Sequence, residues 1–524
     1  MVIRENPGIR TLANFPNLFS KNYFSISRET SYRPVGTLTY MLNYSIWKLN
    51  TTGYKLSSVG IHIFNACLVF ILINLLFGSN LLSFFSALLF VAHPINNETV
   101  LVASFNEDLL VFMFSLLAFI SYLKFKSFFI SAVLYALALF SKESSVALLV
   151  IFPLYAVCFV PKGKITGHFK NKKYFYISYI FVTIFYALVT FVFLKNPDPA
   201  IIEYPGGSFY TNLLTMSKVF VQYLKLYAVP VNLCAEHIIP ASISIFDRQV
   251  ILSIAVIAGF IFLTIKMFNH SKRAFFAFCW IIAGLAPVMN FVPFLNVSLL
   301  AERYAYFSSF GFCMLLGITL SSLKKKEVRT FLIVSILIFY SSVVFTRNKD
   351  WKDHYTLWAK TSQQSPGSTK AHTNVGLDYL NQGMVDKAIF EFNEAIRLFP
   401  NNTIANANIA DAYTKKGMYV QAIGSCENAL KTDPNNIIAY NNMGIAYAKL
   451  NDFDKAVLNF KKMSEVDPNN ASAYYNLGCL YALSEKFDDA IIYFQKALQL
   501  DPNSANTAEK LQRALSDRAN HKRK

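Results

Sequence analysis

The chain has 524 residues, of which 54% are hydrophobic and 16% aromatic, and it carries a formal net charge of +18. Residues 1–368 hold +17 of this charge, mostly in short loops between apolar runs, and this placement excludes nucleic acid as a partner. The seven cysteines form no CxxC pair and no cluster with histidine, which excludes a disulfide framework and a structural zinc site.

Residues 1–56 precede the first apolar run and are predicted to form a loop outside the cytoplasm. The segment is rich in lysine and arginine and has no signal peptide. A positive tail of this length is not readily translocated alone, so we expect a further transmembrane helix upstream of Met1. A genuine short tail is the alternative.

Ten apolar runs predict a membrane domain of about ten helices at residues 57–346. Seven runs approach the roughly 20 residues that a helix needs to span a bilayer core. These are 57–77, 105–123, 174–194, 250–266, 274–293, 304–321 and 328–346. The shorter runs, predicted to be tilted or partly embedded helices, are 81–92, 127–140 and 144–160.

The charges of the loops predict how these helices are oriented. Loops rich in lysine and arginine are expected on the cytoplasmic side. Their basic residues are Lys124, Lys126, Lys162, Lys164, Lys170, Lys172, Lys173, Lys266, Lys272, Arg273, Lys324, Lys325, Lys326 and Arg329. The intervening loops carry few positive charges and are predicted to lie outside. The alternation holds only if segment 218–233 does not fully span.

Five polar motifs fall on the outer side in this topology. They are Tyr32-Arg33-Pro34, His93-Pro94-Ile95-Asn96-Asn97-Glu98, Asn106-Glu107-Asp108, Lys142-Glu143 and Glu302-Arg303-Tyr304. Ionisable groups at this depth are costly when exposed to lipid, so they usually face a cavity or a partner. Their convergence predicts an active cavity on the outer side.

The chemistry of these motifs suits sugar transfer from a lipid-linked phosphate. Such a reaction needs cations to stabilise the leaving phosphate and a carboxylate for the acceptor hydroxyl. We predict that Arg33, Lys142 and Arg303 bind the donor phosphate. The lipid tail requires an apolar groove open to the bilayer, which the 49 phenylalanines and 29 tyrosines can line.

The remaining motif residues have catalytic or supporting assignments. Glu107 and Asp108 are predicted to orient the acceptor or to hold a divalent metal, and His93 completes the catalytic set. For His93, a helix cap is an equal alternative. The supporting residues are Tyr32, Glu98, Glu143 and Glu302.

A period of 34 residues follows a linker predicted at 347–368. It is carried by Pro400, Pro434, Pro468 and Pro502, and small residues, tyrosines and alanines repeat with the same step. This period predicts pairs of antiparallel helices stacked into a solenoid, and the pattern resembles the tetratricopeptide repeat (TPR). Four units are predicted at 369–504, followed by a capping helix and a basic tail at 505–524.

One asparagine per repeat is predicted to face the concave groove of the solenoid. These residues are Asn374, Asn408, Asn442 and Asn476. Asparagine amides can bond a peptide backbone without reading its side chains. We therefore expect a polypeptide partner in the groove, the alternative being that the asparagines only solvate it.

The order of the five motifs, followed by the repeats, resembles the transmembrane and TPR repeat-containing O-mannosyltransferases, which belong to the C-fold (GT-C) glycosyltransferases. The resemblance implies an all-α architecture, with a polytopic helical membrane domain before a TPR solenoid. It also implies an inverting enzyme that transfers a sugar, typically mannose, from a polyprenyl-phosphate donor. The acceptor is a Ser or Thr hydroxyl of a protein outside the cytoplasm.

Two positions depart from the family pattern. The family has an acidic pair just before a stretch like residues 2–7, so the resemblance implies that the catalytic base lies upstream of this sequence. At Asn106-Glu107 the family tends to have Gly-Arg, so no arginine is expected at the phosphate from this motif.

Two other functions remain open at the level of sequence. One is a non-catalytic membrane scaffold whose repeats recruit partners, and the other is a C-fold glycan ligase or polymerase. The host membrane is expected to be a bacterial inner membrane with the repeats outside the cytoplasm, and an endoplasmic reticulum membrane is the alternative.

Overall fold

The computed structural model describes residues 6–27, 29, 31–125, 127–194, 204–291 and 298–521. Throughout these ranges the regular secondary structure is helical and no strand occurs, which confirms the predicted all-α class. The chain divides into two compact units, Met1–Lys352 and Asp353–Lys524. Lys126 and the basic tail at 522–524 lie outside the described residues.

The first unit consists of fifteen α-helices within the described ranges. They are α1 (Tyr23–Ser27), α2 (Pro34–Trp47), α3 (Thr51–Phe77), α4 (Asn80–Ala92), α5 (Asn97–Leu101), α6 (Asn106–Lys124), α7 (Phe128–Ser141), α8 (Leu148–Phe159), α9 (Ile165–Asn171), α10 (Lys173–Leu188), α11 (Phe209–Ala228), α12 (Arg248–His270), α13 (Lys272–Leu285), α14 (Tyr306–Ser322) and α15 (Lys326–Asp350). Short 3-10 turns join several of them.

Six helices of the described chain are long and apolar enough to cross a membrane. They are Thr51–Phe77, Ala103–Lys124, Lys173–Phe193, Arg248–His270, Glu302–Ser322 and Lys326–Asp350. Each of the other four predicted runs also contains a helix, but a shorter one. The helix α11, which contains the first part of segment 218–233, is not among the six.

The predicted run at 274–293 was wrong in length. Its helix α13 ends at Leu285, and a 3-10 turn at Ala286–Val288 follows. Pro287 lies in this turn and has no backbone N–H to donate, so it cannot continue the α-helical hydrogen-bond pattern.

Several helices of the first unit begin or end close to one another at each of two ends of the unit. At the end rich in lysine, Phe77 of α3 contacts Phe159 of α8 with ring centroids 5.4 Å apart. Phe159 in turn contacts Phe276 of α13 at 5.3 Å. At the other end the five polar motifs begin or end their helices, and we call this the motif end.

An aromatic core joins the helices between these two ends. The Trp280 ring stacks between Phe119 and Phe307, with centroid distances of 6.2 Å and 5.6 Å. Its Nε1 donates a hydrogen bond to the Phe307 carbonyl at 3.1 Å, as a buried indole N–H requires. The core therefore ties α6, α13 and α14 together and holds their motif ends in place.

The second unit is a stack of helical hairpins. Its helices are α16 (His354–Gln364), α17 (Thr369–Asn381), α18 (Val385–Leu398), α19 (Thr403–Lys415), α20 (Tyr419–Thr432), α21 (Ile437–Lys449), α22 (Phe453–Val466), α23 (Ala471–Leu483), α24 (Phe487–Leu500) and α25 (Ala505–His521). The segment assigned to a linker, 347–368, thus contains the end of α15 and the whole of α16. α16 pairs with α17 through the hydroxyls of Tyr355 and Tyr379, 3.0 Å apart.

Close packing within each hairpin explains the repeated small residue. A Cβ added to Gly376, Gly444 or Gly478 would come within 2.7 Å of a phenylalanine ring on the second helix of the same repeat. The second repeat has Ala410 at this position, and its partner is the smaller Cys426. The extra methyl is thus accompanied by a smaller neighbour.

Candidate functional site

The five sequence motifs meet at the motif end of the first unit, and most of their charged side chains are buried. Arg33 directly precedes α2, Glu107 and Asp108 open α6, and Glu143 begins a 3-10 turn at Glu143–Ala147. Another 3-10 turn, Glu302–Ala305, leads into α14. Because these helices begin at the same end, motif residues up to 205 positions apart in the sequence are in contact.

Arg33 is held by two carboxylates. Its Nη1 lies 2.7 Å from Glu107 Oε2, and its Nη2 and Nε lie 2.7 Å and 3.3 Å from the two oxygens of Glu143. Burial opposes the charge of Arg33, but the two carboxylates outweigh it and keep the pKa of Arg33 well above its usual value. The bidentate contact with Glu143 fixes the plane of the Arg33 guanidinium.

Two residues of α2 that the sequence analysis missed position Glu107. Gly36 lies so close that a Cβ there would come within 2.8 Å of Glu107 Cγ. The Tyr40 hydroxyl donates to the Ser104 carbonyl at 2.8 Å and lies 3.4 Å from Glu107 Oε1. The two residues are four apart on α2, so helical spacing after Arg33 was the available signal.

Lys142 and Asp108 form a second, more deeply buried pair. Lys142 Nζ donates to Asp108 Oδ1 at 2.6 Å. The same Nζ lies 5.0 Å from the ring centroid of Tyr304, and the Arg303 guanidinium lies 4.8 Å from that centroid. Tyr304 therefore connects two of the predicted phosphate-binding cations.

Arg303 is paired with Glu98. Glu98 accepts hydrogen bonds from the Arg303 backbone N–H at 2.9 Å and from Nη1 at 3.0 Å. The guanidinium also lies 4.3 Å from the Phe105 ring centroid. Burial raises the pKa of Glu98 above its usual value although Arg303 acts in the opposite direction.

Glu302 holds a loop and the last membrane helix, and its partners were missed by the sequence analysis. Glu302 Oε1 accepts the Cys234 backbone N–H at 2.6 Å and lies 3.2 Å from His237 Nε2. Glu302 Oε2 lies 3.5 Å from Arg347 Nη2, near the end of α15. A basic residue just after the apolar run 328–346 was the only signal for Arg347.

His237 stays protonated in this environment. Burial acts against its charge, but hydrogen bonds with Cys234 and Glu302 outweigh burial and raise the pKa of His237 to about 10. Glu302 therefore faces two cations, His237 and Arg347. Through these contacts Glu302 holds two segments in place, the one around His237 and the end of α15.

His93 serves as a helix cap, the alternative that the sequence left open. Its Nδ1 accepts the Ile95 backbone N–H at 3.2 Å, and its Nε2 donates to the Tyr227 carbonyl at 3.0 Å. Burial lowers the pKa of His93 to about 4, so the ring is neutral. Both ring nitrogens are used by the main chain, and His93 is not carried forward as a catalytic residue.

Tyr32 and Glu29 contact the N-terminal segment beside Arg33, whose backbone N–H donates to the Tyr23 hydroxyl at 3.0 Å. The Tyr32 hydroxyl donates to the Leu18 carbonyl at 3.0 Å. Glu29, which the sequence analysis missed, accepts a hydrogen bond from the Tyr23 hydroxyl at 2.5 Å. Burial and the neighbouring Glu107 raise the pKa of Glu29 to about 8. Its position four residues before Arg33 was the available signal.

Glu107 and Asp108 are the two carboxylates predicted as possible metal ligands. Each is already paired with a cation, and no group of three or more His, Cys, Asp or Glu side chains is arranged to hold a metal in the part of the chain that the structure describes. Within the described ranges, Glu107 and Asp108 are therefore not joined by the several oxygen ligands that a bound divalent cation needs.

An apolar cavity of about 440 Å³ lies between α11, α12 and α13. Leu213, Phe220, Ile254, Phe260 and Met289 are among the residues that line it. Its wall is built from helices of the membrane unit, and it is a separate feature from the charged cluster of the five motifs.

The four predicted groove asparagines of the second unit differ in their contacts. Asn374 and Asn408 are half-buried, and each donates to a carbonyl of its own helix at 2.8 Å. Asn442 is buried and donates to the Ala407 carbonyl of the preceding repeat at 2.9 Å. Asn476 donates to Asn441 Oδ1 at 2.9 Å, so the last two asparagines join neighbouring repeats.

Family models agree with the repeat assignment. Models described as tetratricopeptide repeat match residues 369–402, 437–470 and 471–504, and a model described as TPR repeat matches residues 410–451. The predicted TPR solenoid is therefore confirmed.

The chain is also similar to proteins named protein O-mannosyl-transferase. One from Caenorhabditis elegans is 26% identical over 425 residues, covering 76% of this chain and 59% of the relative. The TMTC3 proteins of Mus musculus and Homo sapiens are 26% and 25% identical, each covering 76% of this chain and 48% of the relative. These relatives confirm the predicted resemblance. The chain spans roughly half the length of the curated relatives it matches.

Proposed function

We propose that the chain is a membrane glycosyltransferase that moves a sugar, with mannose expected, from a polyprenyl-phosphate donor to a Ser or Thr hydroxyl of a protein. The reaction takes place at the motif end, on the extracytoplasmic side. One observation carries the proposal: five separated motifs form a single cluster of charges at one end of a membrane unit. The names of the relatives support the transfer of mannose to a protein.

Arg303 is the best candidate for the leaving phosphate. Its side chain is 19% exposed, and Nη1 alone is bonded to Glu98. Arg33 is similarly exposed but shares all its nitrogens with Glu107 and Glu143, and Lys142 is only 5% exposed. We therefore assign Arg303 to the phosphate, Arg33 to a second contact, and Lys142 to positioning Asp108.

Glu107 and Asp108 are assigned to the acceptor hydroxyl. Arg33 and Lys142 hold the two carboxylates at the start of α6, where a hydroxyl group can donate a hydrogen bond to them. Fixed side chains cost little reorganisation when the substrate binds.

The apolar cavity between α11, α12 and α13 supports a lipid-linked donor. Its lining is hydrophobic and its volume of about 440 Å³ is in the range of small-molecule sites. We assign it to part of the polyprenyl chain, while the phosphate remains with the charged cluster.

The TPR unit is assigned to the acceptor polypeptide or a protein partner. TPR arrays commonly bind polypeptides along their concave face. Asn374 and Asn408 bond carbonyls of their own helices rather than a neighbouring repeat, and they are the ones we assign to this contact. Asn442 and Asn476 hold adjacent repeats together.

The proposal does not specify the host membrane beyond the orientation of the chain. Six helices fit a membrane protein, and the relatives named above are animal proteins. They give no support to a bacterial inner membrane over an endoplasmic reticulum membrane. The proposal requires only that the motif end is extracytoplasmic.

A non-catalytic scaffold is the second candidate, and one observation favours it. Arg33, Lys142, Arg303 and Arg347 are each paired with a carboxylate, an arrangement that also serves a purely structural site. The following experiment separates the two candidates.

The test uses the full chain in nanodiscs with a radiolabelled polyprenyl-phosphate mannose and a peptide rich in Ser and Thr. We expect label on the peptide, and we expect Arg303→Ala to lower transfer by roughly 100-fold, as for loss of one charge-stabilising donor. The matched control is Arg397→Ala, an exposed arginine of α18 paired only with Glu394. A folded wild-type chain that captures polypeptides but transfers no label would establish the scaffold instead.

A further inference from the structure

A lysine-rich connection between α8 and α10 lies at the end of the membrane unit opposite the motif end. Its five lysines, which define what we call the lysine segment, are Lys162, Lys164, Lys170, Lys172 and Lys173. No Asp or Glu occurs between Glu143 and Asp198 in the sequence. The positive charge of the segment is therefore not balanced by its neighbours along the chain.

One lysine and two rings fix the segment on the helices beneath it. Lys172 Nζ donates to the Tyr122 carbonyl at 2.7 Å, and His168 Nε2 lies 2.7 Å from the Tyr122 hydroxyl. The Phe169 ring contacts Tyr176 at 5.3 Å. Tyr122 is near the end of α6, so the segment is a built part of this end of the unit.

The other four lysines point away from the helices. Lys162, Lys164, Lys170 and Lys173 are exposed, and none forms a salt bridge within the described residues. Four unpaired ammonium groups within twelve residues repel one another, and a surface of opposite charge relieves this repulsion.

Neighbouring aromatic residues place these lysines at the depth of lipid headgroups. Lys173 Nζ lies 4.9 Å from the ring centroid of Tyr174, and this ring lies 6.0 Å from that of Phe128. Both rings are exposed, and α10 continues with exposed Ile177 and Phe181. In a membrane-spanning helix such residues face acyl chains, and aromatic residues beside lysines mark the interface.

We propose that the lysine segment binds the anionic headgroups of phospholipids in the leaflet at this end. Lysine ammonium groups contact phosphate and carboxylate oxygens, and each basic residue near an anionic leaflet strengthens association by about fivefold. The proposal is independent of any glycosyltransferase activity, because it concerns the opposite end of the unit.

Native mass spectrometry of the full chain, titrated with phosphatidylserine or phosphatidylcholine, tests the proposal. We expect at least tenfold tighter binding of phosphatidylserine by the wild type. The variant Lys162→Gln/Lys164→Gln/Lys170→Gln/Lys173→Gln should lose this preference. The control variant Lys431→Gln/Lys449→Gln/Lys461→Gln/Lys486→Gln removes four exposed charges from the second unit and should keep it.

Two results would overturn the proposal. One is a fourfold-substituted segment that retains the phosphatidylserine preference. The other is full competition by free glycerophosphoserine, which would show a soluble phosphate ligand rather than a lipid surface. If the fourfold variant does not fold, the pairs Lys162→Gln/Lys164→Gln and Lys170→Gln/Lys173→Gln are measured separately, and each is expected to lose part of the preference.

Discussion

Buried charges at the motif end are arranged in pairs, and this has consequences for single residues. Glu302 is fully buried and lies against Arg347, which is 3% exposed, and against His237. Removing one partner of a buried pair leaves the other charge desolvated and unpaired. Single substitutions at such pairs should therefore be far more disruptive than joint ones.

Glu302→Gln should destabilise the membrane unit by about 3 kcal/mol, because His237 would lose its carboxylate and Arg347 would keep only Asp350 of its two. Adding Arg347→Met should restore much of that loss. The measurement is the thermal unfolding midpoint of the full chain in detergent. Equal or additive loss in the double variant would show that the two side chains do not stabilise each other.

Glu29 makes stability depend on pH. Its pKa is raised to about 8 by burial and by Glu107, with Tyr23 and Arg33 as the other facing groups. The folded chain therefore favours the protonated carboxyl, and this stabilisation is complete below the ordinary pKa of a glutamate and is lost as the pH rises toward 8.

Glu29→Gln mimics the protonated form and should raise the unfolding midpoint by a few degrees near pH 8, while changing it little near pH 4. Unfolding midpoints measured from pH 4 to pH 9 test this expectation. A wild-type and a variant curve that stay parallel over that range would contradict it.

Sequence reasoning found the residues of the motif end but not all their partners. Arg33, Glu107, Lys142 and Arg303 stand in short polar motifs at helix ends, which the sequence displays directly. Arg347 contacts Glu302 only because two helices of the fold bring their ends together, and nothing local in the sequence marks that contact.

At the scale of elements, the repeats show how one packing position determines another. The glycine of three repeats faces a phenylalanine ring, whereas Ala410 in the second repeat faces Cys426. The larger residue at the small position is matched by a smaller residue on the second helix. The summed side-chain volume therefore changes little, as a packed core requires.

Gly444→Ala should destabilise the TPR unit by roughly 1–3 kcal/mol, because the new methyl meets the Phe460 ring within 2.7 Å. Adding Phe460→Cys reproduces the combination of the second repeat and should recover part of the loss. Thermal unfolding of the full chain followed by circular dichroism measures both. A tolerated single alanine would show that Phe460 can move aside.

Periodicity predicted the hairpins well, and it failed where neighbours differ between repeats. The four asparagines occupy equivalent positions, yet Asn442 bonds Ala407 of the preceding repeat and Asn408 bonds its own helix. Identical spacing cannot reveal this difference, because it depends on the residues of the adjoining helix. The early end of α13 at Leu285, in contrast, has a local cause, which is Pro287.

At the scale of the whole molecule, the membrane unit has two chemically distinct ends. One end gathers the paired charges of the five motifs and the other carries unpaired lysines. Positive loops remain on the cytoplasmic side during insertion, so the lysine segment should be cytoplasmic and the motif end extracytoplasmic.

Single cysteines at Gly163, where an added Cβ meets no neighbouring atom, and at Phe209, whose side chain is exposed, test this orientation. In a variant without the native cysteines, a membrane-impermeant maleimide added from outside the cytoplasm should label position 209 and not 163. Labelling of 163 in intact membranes would reverse the orientation and remove the basis for an extracytoplasmic reaction.

The alkylation rate of Cys426, in the second repeat, can be used to measure how often the solenoid opens. Cys426 has no solvent-exposed surface, and burial raises the pKa of its thiol to about 12. Alkylation must therefore wait for the hairpin to separate, and its rate reports how often that happens. A bound polypeptide that holds the repeats closed would slow this reaction, so occupancy of the groove can be followed without any label on the ligand.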